Sequence, residues 1–200
     1  LINQNRQTLK LEAINLDDLP LDDSKTYQLL QKGLTTAVFQ LESRGIKEYI
    51  VKLKPNNFED IITLIALYRP GPLEMNMVET YIERKHGREE FSYGDESVEK
   101  ILDKTHGVIV YQEQVMQLAQ EFSGFTLGEA DILRRAMGKK IASEMEEQKE
   151  PFITGAIEKG KNKRFAEGLF DQIEKFAGYG FNRSHSAAYA FISYQTAWLK

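Results

Sequence analysis

Apolar residues recur along most of the chain at the three- and four-residue spacing of an amphipathic helix. The pattern is clearest in three segments, which run from Met75 to His86, from Ser143 to about Lys159, and from Asn162 to Ala177. Shorter helices are predicted after the capping residues Asp22 or Asp23, Ser43, Asn57 and Thr126, and over residues 98–104 and 112–122. The sequence therefore predicts a mainly α fold with at most a few short strands.

Four segments do not follow this helical pattern. Residues 35–41 are predicted to be a short extended run, and residues 108–111 a strand or the buried start of a helix. Residues 1–20 are predicted to be irregular and to form a linker. Arg69-Pro-Gly-Pro72 is predicted to form a rigid turn, because two prolines fix the backbone there.

The segment from Gly178 to Tyr189 places cationic and aromatic side chains at the predicted start of the last helix. Ser184 is a candidate cap, since its hydroxyl can accept an N–H of the first turn. No Asp or Glu occurs between residues 176 and 199. Positive and aromatic groups at a helix N-terminus suit an anionic ligand with a π face, such as a nucleotide.

Two opposed faces are predicted for this last helix. A stripe expected to face the core consists of Ala187, Phe191, Tyr194 and Trp198. His185 and Tyr189 lie one turn apart on roughly the opposite side, together with Thr196. Ordinary packing of both rings is an equally good interpretation of this segment taken alone.

A second concentration of positive charge lies between residues 132 and 140 and contains no acid. On a helix, Arg134, Arg135 and Lys139 share one broad arc with Gly138, and Lys140 follows. Such a cluster suits a triphosphate or a nucleic-acid backbone. The alternative is a solvated basic face that Asp131 neutralises in part.

Composition restricts the classes of protein and of site. The chain has 42% hydrophobic and 28% charged residues with a net charge of −4, which is typical of a domain with its own core. The absence of cysteine favours a reducing compartment and excludes thiolate metal sites. The three histidines are far apart, and the acidic pairs at residues 17–18 and 22–23 lie in predicted loop or cap positions. The sequence therefore predicts no metal site and no catalytic residue, and no run has the length of a membrane span.

Several long motifs resemble the alpha subunit of bacterial DNA polymerase III, the catalytic subunit of C-family replicases. The resemblance runs from about Leu21 to Lys200, in order and at the spacing of the family. The motifs that carry it are Thr36-Ala-Val-Phe-Gln-Leu-Glu-Ser43, Tyr68-Arg-Pro-Gly-Pro72, Ile82-Glu-Arg-Lys-His-Gly87, Tyr111-Gln-Glu-Gln-Val-Met116, Leu133-Arg-Arg-Ala-Met-Gly-Lys-Lys140 and Phe176-Ala-Gly-Tyr-Gly-Phe-Asn-Arg-Ser-His-Ser-Ala-Ala-Tyr189.

The resemblance implies that residues 21–200 are a partial fingers domain, cut inside its C-terminal helix. Residues 1–20 would be a linker or the end of the preceding palm region, and the metal-binding aspartates of the palm would lie upstream of the matched segments. The parent would be a cytoplasmic DNA-directed DNA polymerase that uses Mg²⁺. This piece would bind no metal and would be inactive by itself.

The resemblance also assigns binding residues and partners. Incoming deoxynucleoside triphosphate (dNTP) would contact Arg134, Arg135, Lys139, Lys140, Asn182, Arg183, Ser184, His185 and Tyr189. Primer–template DNA would contact Arg69, Lys139 and Lys140. Other replicase subunits, including the sliding clamp, would bind regions outside this chain, and no membrane would be involved.

One position departs from the family pattern, since Arg183 occupies a place that is commonly lysine. The positive charge is kept, but a planar fork replaces a point charge. The alternative function is a helical protein-interaction module that binds no nucleotide. A self-contained enzyme is disfavoured by the lack of a carboxylate site.

Overall fold

The computed structural model describes residues 1–139 and 142–200. This part of the chain contains helices and turns but no β-strand, and its only β-type pairing is an isolated parallel bridge. Two short 3-10 helices occupy Leu16–Asp18 and Asp103–Thr105. The α-helices, α1 to α12 in chain order, are Ile2–Thr8, Ser24–Gln31, Arg44–Leu53, Phe58–Leu67, Pro70–Glu74, Met77–Lys85, Glu96–Leu102, Gln112–Glu121, Leu127–Lys139, Ala142–Glu158, Lys163–Phe176 and Arg183–Leu199. The prediction of a mainly α fold is confirmed.

Local capping chemistry sets several helix starts as predicted. Asp23 accepts the N–H of Thr26 at 2.8 Å at the start of α2, and Asn162 caps α11 in the same way. Thr126 and Glu129 form a reciprocal capping box before α9. The N–H of Thr126 donates to the Glu129 carboxylate at 2.8 Å, and the N–H of Glu129 donates to the Thr126 hydroxyl at 3.3 Å.

Three local predictions are wrong. Residues 2–8 form the helix α1 and are not irregular. The Asn3 side chain ties this helix to Ile14, because it accepts the N–H of Ile14 at 2.8 Å and donates to the carbonyl of Ile14 at 3.0 Å. Residues 35–41 form consecutive turns, since Ala37 and Gln40 have φ values of +63° and +61°, which an extended run excludes. The rigid turn predicted at residues 69–72 is instead the start of a short helix, since Pro70–Glu74 form α5 with Arg69 at its N-cap.

The contacts divide the chain into two compact units, which are unit 1 (Leu1–Phe58 and Phe191–Lys200) and unit 2 (Glu59–Ala190). In unit 1, the Tyr194 ring lies 5.7 Å from the Tyr27 ring between centroids. Its hydroxyl donates to the carbonyl of Pro20 at 2.7 Å and accepts the N–H of Asp23 at 3.0 Å. A large aromatic side chain is thus buried with its polar tip satisfied.

The core of unit 2 is formed mainly by α8 to α11. Phe152 packs at its centre, with its ring 5.9 Å from Phe122 and 5.4 Å from Phe170 between centroids. Gly155 allows this close packing, because an added Cβ would lie 2.1 Å from the carbonyl oxygen of Ser123. Among the described residues, no helix is long and apolar enough to cross a membrane.

The buried face of α12 differs from the predicted one. Of the predicted stripe, Tyr194 is fully buried, whereas Ala187, Phe191 and Trp198 are only half-buried. The remaining buried positions are Ser186, Ala190, Ser193 and Ala197. These small side chains recur at helical spacing and form the buried face, whereas the rings of Phe191 and Trp198 are only half-buried.

Candidate functional site

The start of α12 is fixed to the start of α8 by backbone hydrogen bonds within unit 2. The N–H of Phe181 donates to the carbonyl of Val110 at 3.2 Å, and the N–H of Gln112 donates to the carbonyl of Phe181 at 3.0 Å. These bonds form the parallel bridge between Tyr111 and Phe181. Residues 108–111 are a buried segment that forms no strand, and Tyr111 is the extended N-cap of α8, so the prediction of a strand is wrong and that of a buried helix start holds only for Tyr111.

Gln114 stabilises the same junction from inside. Its side-chain oxygen accepts the N–H groups of Val110 and Tyr111 at 2.9 and 3.0 Å, and its amide nitrogen donates to the Thr105 hydroxyl at 2.8 Å. Gln114 is buried. This glutamine thus caps α8, and both its oxygen and its nitrogen are hydrogen-bonded within the chain.

The carboxylate of Glu113 holds the first residues of α12. It accepts the side-chain N–H of Asn182 at 2.8 Å, and both of its oxygens lie 3.1 Å from the backbone nitrogen of Arg183. Asn182 in turn accepts the N–H of His185 at 2.9 Å. The cap of α12 is therefore Asn182, and the prediction that Ser184 caps this helix is wrong.

This arrangement changes what the N-terminus of α12 can offer a ligand. The backbone N–H groups of Arg183 and His185 already have partners within the chain. The Glu113 carboxylate supplies the negative charge that the helix dipole favours at this end. An anionic ligand at this site must therefore rely mainly on side chains.

Arg183 is held in a defined orientation by an acid and a ring. Its Nη2 lies 2.5 Å from Oε1 of Glu59, and its guanidinium carbon lies 5.9 Å from the centroid of the Tyr111 ring. The Tyr111 hydroxyl is 3.1 Å from the Thr63 hydroxyl. Burial opposes the charge of Arg183, but the hydrogen bond and the charge of Glu59 outweigh it and raise the pKa of Arg183.

Arg69 binds the loop that leads into α12. Its Nε donates to the carbonyl of Ala66 at 2.7 Å, and its Nη2 donates to the carbonyl of Tyr179 at 2.6 Å. Its guanidinium carbon lies 4.4 Å from the centroid of the Phe181 ring, which is cation–π distance. Burial lowers the pKa of Arg69. Arg69 thus has a structural role here, and its predicted contact with DNA stays a prediction.

A stack of rings projects from the first turns of α12. The His185 and Tyr189 rings stack with centroids 4.3 Å apart and an interplanar angle of 27°. Phe181 meets His185 edge-on at 5.3 Å. His185 is exposed and Tyr189 is half-buried, so the stack is partly open to solvent. The predicted pairing of these two rings, one helical turn apart, is present in the structure.

The predicted arginines on α9 share one carboxylate. Nη2 of Arg134 lies 2.7 Å from Oδ1 of Asp131, and Nη2 of Arg135 lies 2.7 Å from Oδ2 of the same residue. The hydrogen bond from Arg134, followed by the charges of both arginines, lowers the pKa of Asp131. The Arg135 side chain is 66% exposed, so this pairing is weak and open to exchange. The predicted contacts of Lys139 and Lys140 lie outside the described residues, since only the helical backbone of Lys139 is described.

Comparison with known proteins identifies the family. The family model described as the bacterial DNA polymerase III alpha subunit finger domain matches residues 1–160. The chain is also 57% identical over its whole length to DNA polymerase III subunit alpha of Pseudomonas aeruginosa and 56% identical to that of Escherichia coli K12. That of Pasteurella multocida is 59% identical over 94% of the chain. The chain belongs to the DNA polymerase III alpha finger-domain family. It spans 18% of the length of the first two relatives and 17% of the third.

The finger domain carries its predicted ligand residues in two groups. One group is at the start of α12, where Asn182, Arg183, Ser184, His185 and Tyr189 follow the loop held by Arg69. The other is on α9, where Arg134 and Arg135 flank Asp131. Within residues 1–139 and 142–200, no group of three or more His, Asp or Glu side chains is arranged to hold a metal ion.

Two carboxylates that hold Asn182 and Arg183 at the start of α12, those of Glu59 and Glu113, were not predicted from the sequence. Glu59 and Glu113 lie 124 and 70 positions from Arg183 in the chain, so no local pattern pairs them with it. The only local signal for Glu113 was its place at the start of a helix, in Tyr111-Gln-Glu-Gln114.

Proposed function

We propose that this finger domain binds the incoming dNTP and primer–template DNA for a bacterial replicative DNA polymerase. The observation that carries the proposal is the partly exposed stack of His185 on Tyr189, on the helix whose start orients Arg183. Aromatic faces stack on nucleobases with little sequence preference, and guanidinium groups bind phosphates. The family of the chain supports the same ligand class.

In the proposed complex, the ring stack packs on the base or sugar of the nucleotide. Arg134 and Arg135 exchange the Asp131 carboxylate for phosphate oxygens. The exchange costs little, because exposed ion pairs contribute about 0–1 kcal/mol, whereas a triphosphate presents several negative charges to both guanidinium groups. Until the nucleotide arrives, Asp131 holds both guanidinium groups by ion pairs.

The proposed contribution to catalysis is positioning. Holding the triphosphate and base in one geometry orients the α-phosphate for in-line attack by the primer 3′-hydroxyl. The described residues do not form a site for the Mg²⁺ that such a reaction uses. We assign Mg²⁺ to the aspartates that the family resemblance places upstream.

The proposal extends to the setting of the enzyme. We place the parent polymerase in the bacterial cytoplasm, with other replicase subunits and the sliding clamp bound through regions outside this chain. We expect the 200-residue piece alone to incorporate no nucleotide, and a primer-extension assay with the isolated piece tests this.

Arg135→Ala in the full-length subunit tests the nucleotide-binding role. Loss of one charge-assisted hydrogen bond, worth about 1.5–3 kcal/mol, is expected to raise the KM for dNTP about 10- to 100-fold. Arg164→Ala is the matched control, since Arg164 is an exposed arginine on α11 that no prediction assigns to a ligand. Equal KM values for the two variants would contradict the role of Arg135.

A further inference from the structure

A basic groove lies on the surface of unit 1, and its residues were assigned to no ligand by the sequence analysis. It contains four cations and one acid, whereas the whole chain has a net charge of −4. Its lining comes from the end of α2 and from α3, and consists of Lys32, Gly33, Arg44, Lys47, Glu48, Val51 and Lys52.

The backbone brings the two helices together to form this basic groove. Gly33 adopts a φ of +66°, and a Cβ there would lie 2.9 Å from Cγ2 of Val51. A glycine at this point therefore lets the end of α2 pass against α3, with Lys32 at the rim. Val51 is 41% exposed and forms an apolar floor under the cations.

The positive charges at the start of α3 are unfavourable with respect to its helix dipole, whose positive end lies there. Its first turn contains no acid, the Ser43 side chain makes no capping hydrogen bond, and Arg44 and Lys47 lie at the positive end of the helix. Arg44 pairs with Glu48 at 3.3 Å, but the two side chains are 94% and 61% exposed, so the pair is weak. Lys47 donates to the neutral hydroxyl of Thr36 at 2.8 Å. An anion in the basic groove would relieve this repulsion.

We propose that the basic groove binds the phosphodiester backbone of DNA. With a rise of about 1.5 Å per residue, Arg44, Lys47 and Lys52 are spaced about 4.5 and 7.5 Å along the axis of α3. Cations spread over this distance along one groove suit consecutive phosphates of one strand better than a single compact anion. This inference rests on the proposed function, because it takes the parent protein to bind DNA.

The test compares two double variants of the full-length subunit. Lys47→Gln/Lys52→Gln removes two cations from the basic groove, and Lys149→Gln/Lys163→Gln removes two from unit 2, so that both doubles change the net charge equally. Binding of a labelled primer–template is measured against salt concentration, with single-stranded and duplex DNA as separate probes. Thermal unfolding and dNTP KM are measured for each protein.

Each phosphate contact contributes about 0.9 to the slope of log affinity against log salt on duplex DNA and about 0.7 on a single strand. The basic-groove double is expected to have a slope shallower by about 1.8 if duplex DNA occupies the groove, or by about 1.4 if a single strand does. Its loss of affinity relative to wild type should then shrink about tenfold between 50 and 200 mM salt. The control double should keep both the wild-type slope and the wild-type KM for dNTP.

Equal slopes for all three proteins, or equal reductions in both doubles, would overturn the proposal. A second result would also overturn the proposal. If an acidic peptide inhibits DNA binding while the basic-groove double keeps the wild-type salt slope, the groove binds a protein partner and not DNA. Failure of the proposed function is detected by a different measurement. In that case the Arg135→Ala change would leave the KM for dNTP unaltered, whatever the salt slopes of the two doubles are.

Discussion

Glu113→Gln is the most informative single change, because Glu113 holds the start of α12 and is itself assigned to no ligand contact. Its carboxylate accepts hydrogen bonds from Asn182 and from the backbone of Arg183 at 2.8 and 3.1 Å. Glutamine keeps the shape and one acceptor oxygen but loses the charge and the second acceptor. Hydrogen bonds to charged groups contribute about 1.5–3 kcal/mol, and a charge at a helix N-terminus contributes about 0.3–1 kcal/mol.

A loss of about 1.5 kcal/mol is therefore expected for the ordered start of α12. If the nucleotide binds only the ordered form, the KM for dNTP in primer extension should rise by up to about tenfold, and the full rise is reached when the change makes the disordered form dominant. Hydrogen exchange at the amide of Arg183 should become faster by a similar factor. Glu121→Gln, at the last residue of the same helix, is the control and should leave both values unchanged. A Glu113→Gln enzyme whose amide exchange shows the start of α12 to be mostly open, with the KM unchanged, would refute the reasoning that this helix start positions the nucleotide.

Three further changes test other parts of the structure. Tyr189→Leu should raise the KM for dNTP, because it removes a stacking interaction that contributes about 1–3 kcal/mol per base. Tyr189→Phe keeps the ring and should leave the KM unchanged, so equal effects of the two changes would contradict the stacking role. Gly155→Ala should lower the free energy of unfolding by at least about 1–3 kcal/mol in denaturant titration, because the new Cβ would clash with the backbone of Ser123. The control Gly168→Ala has open space around the new Cβ and should raise the free energy of unfolding by about 0.5–1 kcal/mol. Lys85→Met should cost about 3–5 kcal/mol in the same assay by leaving Asp60 buried and charged, and adding Asp60→Leu should recover much of that loss.

The helices of this chain could be predicted from sequence where a local signal sets their ends. Asp23, Thr126 and Asn162 lie within three residues of the groups that they cap, so the sequence shows both partners together. The first helix was missed because its support comes from a contact between Asn3 and Ile14, eleven positions apart. Local patterns carry no information about such contacts.

The candidate site could be predicted only in part for the same reason. The pairing of His185 with Tyr189 follows from helical spacing, and the pairing of Arg134 and Arg135 with Asp131 follows from spacings of three and four residues. Arg183, in contrast, depends on acids more than sixty positions away. The sequence therefore indicates candidate ligand-binding side chains but not the side chains that hold them in place.

The most direct test of the central claim is a cryo-EM structure of the full-length subunit with primer–template and a non-hydrolysable dNTP. The account predicts that the base or sugar of the nucleotide contacts the ring stack of Tyr189 and His185. It also predicts that triphosphate oxygens lie within hydrogen-bonding distance of Arg134 or Arg135, with the Asp131 pair broken. A nucleotide bound away from the start of α12, with Arg134 and Arg135 still paired to Asp131, would contradict it.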